Sequence, residues 1–118
     1  MAIGLKIEPE KIDRTVILRL DGRIDTTTSP ALSQKIETLI EEGHHLIALD
    51  CEYVHYLSSA GMRVLLSKSR ELHAKKGVFA LFSVTIEVEE VLKMTGFDRI
   101  LHIFPTETEA LQFISQAG

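Results

Sequence analysis

Two adjacent serines, Ser58 and Ser59, hold the position in this sequence that is best suited to chemistry. They follow an apolar run at residues 46–49 and a polar segment, and they precede a run from Met62 in which apolar residues recur at helical spacing. This order predicts a buried strand, a loop and a helix that begins at the serines, with Ser58 as its N-cap. The free N–H groups and the dipole at a helix start also favour a phosphate group. The pair is therefore either a structural cap or a site of covalent regulation.

Other kinds of chemistry find little support in the sequence. A nucleophile elbow needs the pattern G-x-S-x-G, but Leu57 stands where the first glycine should be. The phosphate-binding patterns G-x-x-x-x-G-K-[ST] and G-x-G-x-x-G are absent. The five histidines form no H-x-x-x-H pair, and Cys51, with no cationic neighbour, is expected to be a half-buried structural residue. A metal site, and a hydrolase that uses Ser59 with His55, are the weakest interpretations.

A second group of hydrogen-bonding side chains lies between the second expected strand and the first expected helix. Asp25, Thr26 and Thr27 follow one another there, on no obvious core face. The alternative is a loop that only caps the helix. Asp50 closes the apolar run that leads toward the serines, and a strand-end role is its simplest interpretation. A general acid–base pair would need Asp25 and Asp50 in one cleft, which the sequence leaves open.

The composition argues against several classes of partner. The 118 residues are 45% hydrophobic and 25% charged, as expected for one globular domain over residues 1–118. The 13 basic and 17 acidic residues give a net charge of −4, and without a Lys/Arg cluster this argues against nucleic acid and an anionic membrane surface. No apolar run approaches the ~20 residues of a membrane span, and the N-terminus does not resemble a signal peptide. With a single cysteine, we expect a cytoplasmic protein without direct membrane insertion.

The apolar pattern predicts an initial hairpin followed by regular alternation of helices and strands. The hairpin strands are expected at residues 4–8 and 15–20, with a polar turn at 10–14 between them. The second strand is expected to end at Asp21 and Gly22. Residues 51–57 are expected to form a polar crossing loop. The remaining elements are a helix capped by Ser29 and ended by Gly43, strand 46–49, helix 59–76, strand 78–82, a helix between Thr85 and Gly96, strand 100–104, and a helix opened by a capping box at Thr106 and Glu109. This order predicts an α/β fold with a mixed, mostly parallel sheet.

Four blocks of the sequence together resemble the STAS domain of bacterial anti-sigma factor antagonists. They are residues 22–25 (GRID), 46–50 (LIALD), 54–62 (VHYLSSAGM) and 92–100 (LKMTGFDRI). They span nearly the whole chain in the family's order, and the block that contains the serines is the most specific. The resemblance implies a small sheet with an N-terminal hairpin and about four α-helices.

The resemblance also implies functional residues. In the family, the regulatory serine usually follows an acidic residue in a D-S-x-G block. Aligning Gly61 with the family's glycine places Ser59 on the phosphorylated serine and Ser58 on the usual aspartate. Asp25 falls on a loop close to the phosphorylation site. The implied partner-binding residues are Asp25, Thr26, Thr27, Tyr56, Ser58, Ser59, Met62 and Arg63.

The function implied by the resemblance is that of a partner-switching regulator of sigma-factor-dependent transcription, without enzymatic activity or a cofactor of its own. The unphosphorylated protein would bind an anti-sigma factor that is also a serine kinase, and so release the sigma factor. That kinase would use ATP to phosphorylate Ser59, and a PP2C-type phosphatase would reverse the step. Because Ser58 replaces the usual aspartate, the alternative is a non-phosphorylated STAS adaptor subunit of a lipid-transport or stress-sensing complex.

Overall fold

The chain begins with the antiparallel hairpin that its sequence predicts. The structure, a computed structural model, describes residues 4–117. Strands β1 (Leu5–Ile12) and β2 (Thr15–Ile24) pair in antiparallel orientation. Both strands are longer than expected, and the polar turn shrinks to Asp13 and Arg14. Asp13 takes the left-handed φ of 54° that so tight a connection requires.

The prediction that β2 ends at Asp21 and Gly22 is wrong, because Gly22 allows the strand to continue. Its φ is 134°, and an added Cβ would lie 2.1 Å from the carbonyl oxygen of Gly4. Only glycine combines this backbone conformation with so close an approach of the neighbouring chain. The register between β2 and the next strand also shifts between Gly22 and Arg23. The glycine therefore marks an irregularity within the strand, and β2 extends to Ile24.

Helices and strands then alternate as predicted. The sheet order is β1-β2-β3-β4-β5, and every neighbouring pair after the hairpin is parallel, so the predicted α/β fold with a mixed sheet and four helices is confirmed. The elements after β2 are α1 (Ser29–Glu41), β3 (Leu46–Leu57), α2 (Ser59–Ala74), β4 (Val78–Phe82), α3 (Ile86–Thr95), a 3-10 turn (Phe97–Arg99), β5 (His102–Phe104) and α4 (Glu107–Ala117).

The expected crossing loop at residues 51–57 is wrong, because this segment is the second half of β3. Arg19 pairs with Asp50 and Asp21 with Tyr53, so β3 contains one more residue than β2 over that step. A second extra residue follows, since Gly22 pairs with Val54 and Arg23 with Tyr56. Such bulges break the alternation of inward and outward side chains. The extension carries β2 and β3 together toward the start of α2.

The core lies on both faces of the sheet. Helices α1, α2 and α3 cover one face and contribute residues such as Leu32, Leu65 and Leu92, each at most 1% exposed. Helix α4 covers the other face with Ala110 and Ile114. Within residues 4–117, none of the helices combines the length and the apolar composition that a membrane span requires.

The helix ends agree with the sequence in most places. Thr85 caps α3 by accepting a hydrogen bond from the Val88 N–H (3.4 Å), and Thr106 accepts one from the Glu109 N–H (3.2 Å). Ser29, however, does not cap α1: it is the first helical residue, and Thr28 holds the N-cap position. The last strand is shorter than expected, because residues 97–99 form a 3-10 turn.

Candidate functional site

The two serines have different roles at the start of α2. Ser58 is the N-cap, as predicted, and its Oγ accepts a hydrogen bond from the N–H of Gly61 at 3.1 Å. Ser59 is the first helical residue and is exposed. Within residues 4–117, its hydroxyl takes part in none of the hydrogen bonds. The serine pair therefore supplies one structural hydroxyl and one that is free to react.

Gly61 brings the start of α2 against the end of β2. A Cβ at this position would lie 2.6 Å from Ile24 Cγ2, 2.7 Å from Leu57 Cδ1 and 3.0 Å from the Ile24 carbonyl oxygen. The same carbonyl accepts a hydrogen bond from the Ser58 N–H at 2.9 Å. These contacts hold the serines beside the loop that follows Ile24. That loop contains Asp25, so the structure brings together the two segments that the sequence marks as functional.

The Asp25 loop is built around its own carboxylate. Asp25 Oδ1 accepts hydrogen bonds from the N–H groups of Thr27 and Thr28, both at 3.0 Å. In return, the Thr28 hydroxyl donates to the carbonyl of Arg23 at 2.7 Å and accepts from the Asp25 N–H at 2.9 Å. The Thr28 N–H lowers the pKa of Asp25 the most, with smaller contributions from Arg23 and Thr27. Asp25 is therefore ionised at neutral pH and fixes the loop shape, while Thr26 and Thr27 are exposed.

An exposed aromatic and cationic pair lies next to this loop. The guanidinium of Arg23 lies 4.4 Å from the ring centroid of Tyr56, and its Nε lies 3.4 Å from Asp25 Oδ2. Arg23 and Tyr56 are directly paired across β2 and β3. Tyr56 remains 43% exposed. Aromatic and arginine side chains of this kind are enriched where one protein binds another.

The other two expected contact residues differ in exposure. Met62 is only 8% exposed and belongs to the core, with its sulfur 3.7 Å from the Thr95 hydroxyl oxygen. Its contribution to an outer surface is therefore small. Arg63 is exposed and, among the described residues, takes part in no ion pair. It lies four positions after Ser59, and residues at this spacing are neighbours on a helix surface.

Arg23 and Thr28 are two site residues that sequence reasoning did not single out. Arg23 lies in the GRID block, but nothing in a single sequence shows that it faces Tyr56. Thr28 is the third of three consecutive threonines, and its role depends on the fold of the loop. Because Thr28 is only 6% exposed, it orders the loop and does not contribute to the outer surface.

The residues considered for other chemistry lie elsewhere. Asp50 forms an ion pair with Arg19 at 3.0 Å and is 9% exposed, so it has a structural partner of its own. Cys51 is buried, which raises the pKa of its thiol to about 12. His55 lies 3.5 Å from Glu87 and, among the described residues, does not hydrogen-bond to Ser59. No group of three or more His, Cys, Asp or Glu within residues 4–117 is placed to hold a metal ion.

The fold and this site define a known class of domain. The model of the STAS domain family matches residues 6–110, and the chain belongs to that family. The family resemblance stated from the sequence is thus confirmed.

Several relatives of the chain are named anti-sigma factor antagonists. BtrV of Bordetella bronchiseptica, which is named an anti-sigma factor antagonist, is 31% identical over 86% of this chain and 84% of its own. The anti-sigma F factor antagonist of Paenibacillus polymyxa is 28% identical over 92% of this chain and 94% of its own. Among solved structures, the unphosphorylated form of the anti-sigma factor antagonist SpoIIAA matches with a TM-score of 0.81 and 27% identity, covering 94% of this chain and 97% of SpoIIAA. SpoIIAA, from Bacillus, has also been solved in a phosphorylated form, which matches with a TM-score of 0.72.

Proposed function

We propose that this protein is an anti-sigma factor antagonist whose binding to an anti-sigma factor kinase is switched by phosphorylation of Ser59. The observation that carries the proposal is the free, exposed hydroxyl of Ser59 at the start of α2. Ser58 already satisfies the cap, so modification of Ser59 removes no hydrogen bond that the fold uses. Relatives that are named anti-sigma factor antagonists support the partner class.

The modification is a phosphoryl transfer in which this protein is the substrate. The Ser59 oxygen attacks the γ-phosphorus of ATP on the kinase, and the bond from that phosphorus to the bridging oxygen breaks. ADP leaves, and a base on the kinase takes the hydroxyl proton. A PP2C-type phosphatase then hydrolyses the ester to serine and inorganic phosphate. We assign no enzymatic activity to the chain itself, and we place it in the cytoplasm, where sigma factors and ATP-using kinases act.

The fold should tolerate the added charge. A phosphoserine carries about −1.5 to −2 charges at neutral pH, and the dipole at a helix start stabilises an anion there. Arg63, exposed and four residues along the same helix, provides a cation at the right spacing. The phosphate therefore changes the surface without unfolding the domain.

The same charge is expected to weaken the binding of a partner that docks over Ser59. The partner-binding surface of the proposal combines Ser59 with the Asp25 loop (residues 25–27), Tyr56 and Arg63, while Ser58 and Met62 support it from beneath. A kinase that covers this surface would have to desolvate a dianion on the same surface as the ionised Asp25. Burying a charged group without a partner of opposite charge is costly. Phosphorylation of Ser59 thus releases the partner because it places an unfavourable charge in the interface.

The test measures phosphate transfer and binding with the cognate kinase. Mass spectrometry after incubation with kinase and ATP should find one phosphate, on Ser59, which is lost in Ser59→Ala and retained in Ser67→Ala. Ser67 is the matched control, because it is an exposed serine on the same helix. Ser59→Asp should weaken kinase binding at least about tenfold, whereas Ser67→Asp should not. Phosphate on another residue, or unchanged binding by Ser59→Asp, would contradict the proposal.

A non-phosphorylated STAS adaptor in a lipid-transport or stress-sensing complex is the second candidate. Ser58 favours it, since it supplies a neutral cap where the family usually has an aspartate. In that case the kinase would leave Ser59 unmodified, and the same mass spectrum would distinguish the two functions.

A further inference from the structure

A surface groove lies at the opposite end of α2 from Ser59. It runs between the last turns of α2, the start of β4, the residues that lead into β5, and α4, with a volume of about 740 Å³. This volume lies within the range of known binding clefts. Helix α2 rises about 1.5 Å per residue, so His73 on the groove is roughly 20 Å from Ser59 along the helix axis. The groove is therefore a separate surface from the phosphorylation site.

The floor of the groove is apolar and held in a fixed shape. Phe79 of β4 is buried, and Ile100 is 52% exposed at the other side. Phe113 of α4 contacts two other rings, with its centroid 4.7 Å from that of His102 and 5.0 Å from that of Phe104. Such tilted aromatic contacts restrict the ring. A ligand would thus meet a preorganised aromatic surface, which lowers the ordering cost of binding.

The rim of the groove carries two cations, Arg70 and Lys76, on α2 and the turn that follows it. His73 of α2 and His102 of β5 also line the groove. None of the described residues that line it is acidic, although the chain as a whole has a net charge of −4. Among the described residues, Arg70 and Lys76 also form no ion pair. The groove therefore carries two positive charges that no acidic side chain within residues 4–117 neutralises.

We propose that this groove binds an acidic segment of a partner protein, in which carboxylates flank a large apolar side chain. The carboxylates would pair with Arg70 and Lys76, and the apolar side chain would contact Phe113 and Ile100. A flat anionic membrane fits the groove less well, because its most buried apolar residue, Phe79, is 2% exposed and recessed from any planar surface. The proposal does not depend on phosphorylation of Ser59.

The test starts from a random peptide library displayed on phage and selected on the immobilised full chain. The enriched peptides should carry at least two carboxylates around an aromatic or long aliphatic residue. Lys76→Glu and Arg70→Glu should each weaken a selected peptide by about tenfold, as expected for reversing a charge that faces its partner. Lys75→Glu is the matched control and should leave the affinity unchanged, since Lys75 neighbours Lys76 but does not line the groove. Ile100→Ser should weaken binding through the apolar contact.

Circular dichroism of each variant separates lost binding from lost folding, and the exposure of Lys76, Arg70 and Ile100 favours small effects on stability. Peptides without an acidic consensus would overturn the proposal. It would equally be overturned if selected peptides bound Lys76→Glu as tightly as the unaltered chain. Displacement of the peptides by phosphatidylglycerol vesicles, with cosedimentation of the protein, would assign the groove to an anionic membrane instead.

Discussion

At the scale of single residues, the different roles of Ser58 and Ser59 depend on where the helix begins. Ser58 has an extended backbone (φ −87°, ψ 172°), which turns its hydroxyl back toward the Gly61 N–H. Ser59 is already helical, and one residue of an α-helix corresponds to a rotation of about 100°. Its hydroxyl therefore points away from the cap and remains exposed. A shift of the helix start by one residue would exchange these roles.

Gly61→Ala is expected to disturb this arrangement. The added methyl would lie 2.6 Å from Ile24 Cγ2 and 3.0 Å from the Ile24 carbonyl oxygen, so α2 would have to move away from β2. Overpacking of this kind costs about 1–3 kcal/mol, which urea denaturation would measure. Ser67→Ala, on the exposed side of the same helix, is the control and should change the unfolding free energy by less than about 0.5 kcal/mol. Equal stability of Gly61→Ala and the unaltered chain would show that the contact at Ile24 does not fix the helix start.

At the scale of elements, α1 and α2 are joined by a buried cation. The ammonium group of Lys68 on α2 lies 2.6 Å from Glu37 of α1 and 3.0 Å from Glu71, and its side chain is only 8% exposed. Burial alone would lower the pKa of Lys68, but the hydrogen bonds that its ammonium group donates to Glu37 and Glu71 outweigh this effect and raise the pKa. Lys68 in turn lowers the pKa of Glu37. The helix that carries Ser59 is thus anchored to its neighbour.

Lys68→Met should destabilise the domain in a pH-dependent way. At pH 7 we expect a loss of about 1–2 kcal/mol, since the charged hydrogen bonds disappear while the partly exposed carboxylates regain water. Because the folded-state pKa of Glu37 is lowered, the stabilisation by this pair is complete above the unfolded pKa of about 4.3 and is lost as the pH falls toward the folded value. The raised pKa of Lys68 maintains the pair up to about pH 10. Urea denaturation at several pH values would measure the difference.

The control for Lys68→Met is Lys93→Met. Lys93 and Glu89 form an exposed pair on α3 at 3.9 Å, and its loss should cost less than about 0.5 kcal/mol. A Lys68→Met effect that stayed constant from pH 7 down through pH 4 would mean that packing of the side chain, and not its charge, joins the two helices.

The sequence predicted the element order because each helix and most strands carry their own local signals. Ser58, Thr85 and Thr106 cap helices as expected, and β4 is an uninterrupted apolar run. The second half of β3 escaped prediction because its two bulges place buried residues at every third position, at Cys51, Val54 and Leu57. That spacing matches neither a strand nor a helix. The contact of Arg23 with Tyr56 also escaped prediction, and so did the basic groove. Both bring together residues that are distant in the sequence, and no local sequence pattern predicts such contacts.

At the scale of the whole molecule, the parallel sheet separates the two surfaces. The carboxyl end of β3 leads to Ser59, whereas the amino end of β4 lies at the groove. Between them, Arg19 pairs with Asp50 at 3.0 Å and with Glu107 of α4 at 2.6 Å, which holds α4 to the centre of the sheet. Hydrogen bonds to Glu107, Asp50 and Glu10 raise the pKa of Arg19 despite its partial burial, so the cation persists at every working pH. The residues that line the groove include none of the proposed partner-binding residues, so we expect the two surfaces to bind their ligands independently.

Independence of the two surfaces leads to a prediction for the double variant Ser59→Asp with Lys76→Glu. Ser59→Asp should weaken binding of the kinase and leave binding of a groove-selected peptide unchanged, and Lys76→Glu should do the reverse. In the double variant each loss should equal that of the single variant to within about 0.5 kcal/mol, because sites this far apart without shared partners are additive. Calorimetric titration of each variant with each ligand, alone and with the other ligand present, would measure the coupling. A coupling above that limit would mean that α2 transmits the state of Ser59 along its length, and the groove would then report on phosphorylation.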